Sequence, residues 1–136
     1  MTTPSGTPVH IGQVAEVTGL SHRTIRYYEE MGLIAPSART DGGFRLYGQV
    51  DIDRLLLIKP MKPLGFSIEQ IRQLLTALDT LADPTAEDRA QAAASEVVAA
   101  IHAEAQDRVA ELKTAARQAE DFTRDLGQSL PPFRGP

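Results

Sequence analysis

The chain has 136 residues, a net charge of −4, 42% hydrophobic content and no cysteine. That length allows one modest domain with an extension rather than two full cores, and the lack of cysteine excludes disulfides, thiolate metal sites, Fe–S clusters and thiol redox sensing. No apolar run approaches the ~18–20 residues of a membrane span, so a cytoplasmic protein without a membrane partner is expected.

Residues 1–9 are rich in Thr, Ser, Pro and Gly, with neither a basic region nor an apolar core, and read as a disordered leader rather than a signal peptide. Ile11, Val14, Ala15 and Thr18 recur at helical spacing and Gly19 follows as a stop. Ser21 is a suitable N-cap for a second helix over His22–Met31 that turns Ile25 and Tyr28 inward and closes at Gly32. Two short helices joined at Gly19-Leu20-Ser21 predict a helix-turn-helix. Asp41-Gly42-Gly43 between short β-compatible runs then predicts a hairpin, and a hairpin in this position is a wing.

Asp51 is placed to cap a third helix through Ile52, Leu55, Leu56 and Ile58. Pro60 and Pro63 lack the N–H that a helix needs, so this helix should end or kink near Lys59. Ser67 and Gln70 form a capping-box pattern opening a fourth helix through Ile68, Ile71, Leu74, Leu75 and Leu78. Asp83-Pro84 marks another start, and the stretch from Thr85 to Leu126 has no glycine or proline. Its apolar positions Val98, Ile101, Ala105, Val109, Leu112, Ala116, Ala119, Phe122 and Leu126 are spaced by threes and fours. A helix cannot bury such a stripe against itself, so a partner helix is implied, with Gly127 expected to end it and residues 128–136 to form a short tail.

Several of these segments together resemble the MerR family of bacterial regulators: Ile11-Gly12-Gln13-Val14-Ala15, Thr24-Ile25-Arg26-Tyr27-Tyr28-Glu29, Gly32-Leu33-Ile34, Gly43-Phe44-Arg45-Leu46-Tyr47 and Leu64-Gly65-Phe66-Ser67. The match runs in order from Ile11 to Leu78. The resemblance implies a mainly α fold: a winged helix-turn-helix head over residues 10–79, of four helices and a small hairpin. A long antiparallel coiled-coil dimerisation helix over residues 83–127 follows. It also implies a homodimer on a pseudo-palindromic promoter element, distorting the DNA between the −35 and −10 elements so that RNA polymerase holoenzyme can read both.

Ser21, His22, Arg23 and Thr24 open the second helix, the end of a recognition helix that reaches base edges in a major groove. The resemblance implies that Arg26 and Tyr27, one turn on, contact mainly phosphates. Arg39 and Arg45 flank the wing turn and are expected to reach adjacent phosphates with help from Tyr47, and Lys59 and Lys62 to add backbone contacts. Residues 1–63 carry seven Arg and Lys against six Asp and Glu, a net +1, whereas residues 64–136 carry seven against twelve, a net −5. That asymmetry suits a head that meets phosphates and a solvated acidic stalk.

Tyr28 reads as core. Phe44 departs from the family's usual tyrosine and reads as wing packing. Surface or capping roles are expected for His10 and His22, and a solvated one for His102, the lone stalk histidine. Metal-sensing members carry cysteines at the stalk's start and in the loop after it, and this chain has none, so no cofactor or metal is expected. An apolar small-molecule effector near Phe66 and the start of the long helix is a further expectation. No nucleophilic triad, phosphate-binding loop or carboxylate pair supports catalysis. The alternatives are a ligand-independent repressor or architectural DNA-binding protein, and a protein-interaction module.

Overall fold

A computed structural model describes residues 7–36 and 38–129. The elements are α1 (Ile11–Thr18), α2 (His22–Glu30), β1 (Ala38–Arg39), β2 (Arg45–Leu46), α3 (Gln49–Ile58), α4 (Ile68–Ala82) and α5 (Asp88–Ser129). The chain divides into two compact units, residues 1–99 and 100–136, so the first includes the opening turns of α5.

α1 ends where Gly19 adopts a left-handed backbone, φ +75°, and its N–H donates to the Ala15 carbonyl. A side chain there would be strained, which is why the chain turns at a glycine. The Ser21 hydroxyl then accepts from the Thr24 N–H and starts α2 at a new angle. α1 packs on both α2 and α3, and Val14, Ile25, Tyr28, Ile52, Leu55 and Ile58 meet in the core. Each such side chain contributes roughly 1.5–3 kcal/mol on burial.

The wing is a two-stranded antiparallel hairpin in which Ala38 faces Leu46 and Arg39 faces Arg45. Past β2, Tyr47 exchanges both backbone hydrogen bonds with Val9, at 2.8 and 2.7 Å. Val9 is buried, so the expected leader stops short of residue 9: the chain is fastened to the wing from there. The rest of that leader, residues 1–6, lies outside the described residues.

α3 begins three residues earlier than Asp51 as a cap suggests. Gly48 is its N-cap, and Asp51 sits in the first turn with its carboxylate accepting from the Gly48 and Ala35 N–H groups, both at 3.2 Å. Asp51 is therefore a buried clasp between the helix start and the segment after α2. As expected, α3 stops at Ile58. Pro60 and Pro63 lie in the successive turns that follow, where no helical N–H is required of them. Those turns bury Met61 and Phe66 beneath the head.

α4 opens with a complete capping box, the Ser67 hydroxyl accepting from the Gln70 N–H and the Gln70 side chain accepting from the Ser67 N–H. Asp83 accepts from both the N–H and the hydroxyl of Thr85, making a turn, so α5 starts at Asp88 rather than at Thr85. Gly127 does not end α5, which continues to Ser129. Residues 130–136 of the expected tail lie outside the described residues.

α4 and the start of α5 border an apolar groove of about 640 Å³ that includes Arg72, Ala77, Ala90, Ala93, Ala94 and Val97. Arg72 also donates to the Met31 carbonyl at the end of α2, at 2.6 Å, and pairs with Glu69. The residues bordering this groove do not include Phe66, which is buried.

Candidate nucleic-acid interface

The first turn of α2 presents Ser21, His22 and Arg23 to solvent, with Thr24 half-buried. Ser21 donates its hydroxyl proton to Thr24 Oγ1 while accepting from the Thr24 N–H, so this side chain is already committed to the cap. The Thr24 hydroxyl proton is the one left for a base or phosphate. Arg23, Arg26 and Tyr27 follow at helical spacing on the exposed side of α2, opposite buried Ile25 and Tyr28. The Tyr27 ring is tilted against that of Tyr28, with centroids 5.9 Å apart.

On the wing, Arg39 Nη1 donates to the Gly43 carbonyl at 3.0 Å and holds the turn closed. Arg39 and Arg45 are direct cross-strand partners, an arrangement of like charges that is unfavourable by itself. Arg45 is steadied by Glu29, whose Oε2 lies 2.6 Å from its Nε. The other Glu29 oxygen accepts from the Tyr47 hydroxyl, also at 2.6 Å. A Tyr47–Glu29–Arg45 chain thus links the end of α2 to the wing.

This arrangement corrects the expectation for Tyr47. Its side chain is 1% exposed and its hydroxyl is spent on Glu29, so it supports Arg45 from beneath and does not itself face a ligand. Burial first, and then the bond to Glu29, push the phenol well above its ordinary 10.0, although the guanidiniums of Arg45 and Arg26 oppose this. Phe44 is a second correction: it is 68% exposed, its ring lying along Gly42 at the tip rather than packed into the wing. Glu29 is the residue whose role the sequence reading missed. It stands in the recognised motif, but its partners are 16 and 18 positions away, so no local pattern marks it.

The remaining cations are distributed unevenly. Lys59 Nζ donates to the Thr18 carbonyl at 2.8 Å, so this lysine caps the C-terminal end of α1 and crowds the helix-turn-helix glycine. One of its three ammonium protons is a structural tether, which leaves two for the phosphate contact expected of it. Lys62 is exposed in the turns after α3, and no contact brings it to the other cations. Arg26 and Arg45, by contrast, border one small cavity together with His10, Ile11, Gly43, Phe44 and Tyr47.

In α5, Ala94 is the buried residue, while Val98, Ile101 and Ala105 are half-buried. Val109, Leu112, Ala116, Ala119, Phe122 and Leu126 are exposed, Leu112 at 54% and Phe122 at 66%. Among the described residues no group of three or more His, Asp or Glu is placed to hold a metal ion, and no helix is long and apolar enough to cross a membrane.

A helix-turn-helix followed by an arginine-bearing hairpin, with a lysine securing the turn, defines a winged helix-turn-helix DNA-binding protein. The chain belongs to the MerR family of transcription regulators: it matches the family described as MerR HTH family regulatory protein over residues 9–78, and that described as MerR, DNA binding over residues 52–121. It is 36% identical over 118 residues to the HTH-type transcriptional regulator HmrR of Sinorhizobium medicae, covering 87% of this chain and 71% of that protein. A MerR family transcriptional regulator from Listeria monocytogenes has a similar structure, with TM-score 0.65 and 29% identity, covering 86% of this chain and 83% of that one. The regulator PbrR691 of Ralstonia metallidurans CH34, solved in complex with lead(II), aligns with TM-score 0.55 and 30% identity over 85% of this chain and 86% of its own. The family and these relatives are regulators of transcription, not enzymes.

Proposed function

We propose that this regulator acts in the cytoplasm as a homodimer on a pseudo-palindromic promoter element, distorting the DNA between the −35 and −10 elements for RNA polymerase holoenzyme. The observation that carries the DNA face is the wing register. Arg39 stands opposite Arg45, and Arg45 shares a cavity with Arg26, so cations from a hairpin and from the recognition helix gather where a polyanion would offset their repulsion. Arg23, Thr24 and His22 then read base edges, Tyr27 and Arg39 contact phosphates, and Lys59 and Lys62 add backbone contacts near the helix-turn-helix.

The homodimer rests on α5. Val98, Ala105, Leu112, Ala119 and Leu126 stand seven apart, so leucine and alanine alternate along one seam. A second helix along this seam would bury these side chains, and the alanines would let the two helices approach closely. Two heads on two half-sites supply the contacts that offset DNA bending and untwisting, which costs on the order of 1–10 kcal/mol.

These 136 residues contain no cysteine, so they offer no thiolate for a heavy metal of the kind suggested by some relatives' names. The α4–α5 groove, apolar and bordered by alanines, suits a small apolar effector instead.

The test is salt-dependent binding to the promoter upstream of the protein's own gene, alongside Arg26→Ala. Selective binding with a steep salt slope, lowered by about one unit in the variant, is the expected result. Binding indifferent to sequence and to Arg26 would sink the reading. Transcription from promoters of altered spacer length then separates activation by distortion from repression by occupancy.

A further inference from the structure

The small cavity between the wing and the first two helices has a volume of about 130 Å³. That is room for a few waters at about 30 Å³ each, and well below the ~300–1,000 Å³ of a drug-sized ligand site. Three nitrogen-bearing side chains border it from three separate segments: His10 ahead of α1, Arg26 in α2 and Arg45 in β2. Glu29 already pairs with Arg45, and Arg26 adds a second guanidinium to this small space, which an entering anion would stabilise.

Neither the His10 imidazole nor the Arg26 guanidinium has a hydrogen bond or ion pair to another described residue. His10 occupies the N-cap position of α1 but makes no side-chain cap bond, so its ring is not committed to the helix. Arg45 is ion-paired to Glu29, its Nε 2.6 Å from Oε2, and a guanidinium carries five N–H donors. The Glu29 carboxylate therefore orients the arginine without consuming it. Buried Tyr47 forms an unyielding wall, and exposed Phe44 stands at the rim.

We propose that this cavity seats a single DNA backbone phosphate, gripped jointly by His10, Arg26 and Arg45, with His10 an additional DNA-contacting residue. The inference rests on the DNA-binding reading above and refines it. One phosphate pins the wing, the recognition helix and the start of α1 together, so the three segments dock as a unit. Phe44 supplies an apolar face to the sugar beside that phosphate. Because the contact is to the backbone, it positions the head without selecting a base.

The experiment uses operator duplexes in which one phosphate at a time is replaced by a neutral methylphosphonate, bound by the full chain and by His10→Ala, His10→Gln and Arg26→Ala. His10→Ala should bind roughly three- to tenfold more weakly, with similar losses on specific and non-specific DNA. His10→Gln, which keeps an N–H donor, should recover part of that loss. At one phosphate, neutralisation should weaken the wild type but add little to the loss in either His10→Ala or Arg26→Ala, a coupling of roughly twofold or more. His10 is exposed, so the variants should melt as the wild type does, and melting curves verify this. If Arg26 couples to a phosphate and His10 to none, or to a different one, the shared seat is overturned while DNA binding stands. If no phosphate matters to the wild type, both readings fall.

Discussion

Glu29 holds the wing to the recognition helix, and its two oxygens have different jobs. One is ion-paired with Arg45 and the other accepts a short bond from the buried Tyr47 hydroxyl. Tyr47→Phe removes a donor cleanly and should cost about 1 kcal/mol, whereas Glu29→Ala strands the hydroxyl without an acceptor and should cost about 1–3 kcal/mol. Urea denaturation of both and of the double variant should give strongly non-additive losses; additive losses would mean that the bond carries no energy. The pH dependence follows from the raised phenol. The folded chain keeps the Tyr47 proton beyond the ordinary value of 10.0, so its stabilisation is complete below that pH and is lost as pH rises above it. The wild type's advantage over Tyr47→Phe should therefore shrink through the alkaline range.

At the scale of elements, α1, α2 and α4 were legible because their signals are local. Gly19, Ser21, Ser67 and Gln70 act on backbone groups within four positions, and each does in the structure what its type predicts. The misplaced features depend on partners far along the chain. Tyr47 looked like a wing residue because Val9, which completes its pairing, read as leader, and the acceptor for its hydroxyl is 18 positions distant. Asp51 looked like a cap, but the Ala35 N–H, 16 positions away, makes it a clasp that suits the first turn instead. Gly127 looked like a stop, yet one glycine costs only about 1 kcal/mol in a helix interior and does not end a helix by itself. Of the side chains expected to face DNA, Arg26 and Arg45 border one cavity, while the bond from Lys59 to the Thr18 carbonyl spans 41 positions and left no local trace. Asp51 carries its own prediction. Burial raises its carboxyl above the ordinary 3.8 despite two backbone N–H donors, so the folded state binds its proton more tightly than the unfolded chain. Its contribution to stability falls as pH rises through that window. The advantage of wild type over Asp51→Asn in denaturation experiments should be greatest on the acid side and decline as pH climbs.

At the scale of the whole molecule, the exposed stripe on α5 is what the head alone does not explain. Leu112 and Phe122 are large, apolar and uncovered, and a second helix along the stripe would remove them from water. Leu112→Glu with Phe122→Glu should give a monomer by sedimentation, with operator affinity lowered by a hundredfold or so as one half-site is lost, an order-of-magnitude expectation from two linked sites acting as one. The head should keep its melting transition, since both positions lie outside the unit that contains it. A dimer surviving both charges would remove the stalk from the interface.

Arg72 belongs at once to the α4–α5 groove and to the rear of the recognition helix, where its guanidinium donates to the Met31 carbonyl. A cation at that end neutralises the negative pole of α2 and satisfies a carbonyl that no further turn can reach. Any occupant of the groove that draws Arg72 away leaves that pole bare. The helix is then loosened from behind, where Glu29 still ties it to the wing, while Ser21 keeps its grip on the front. A signal arriving by this route would change how firmly the reading head is braced and leave its chemical contacts untouched, altering the leverage on the duplex rather than the letters it recognises.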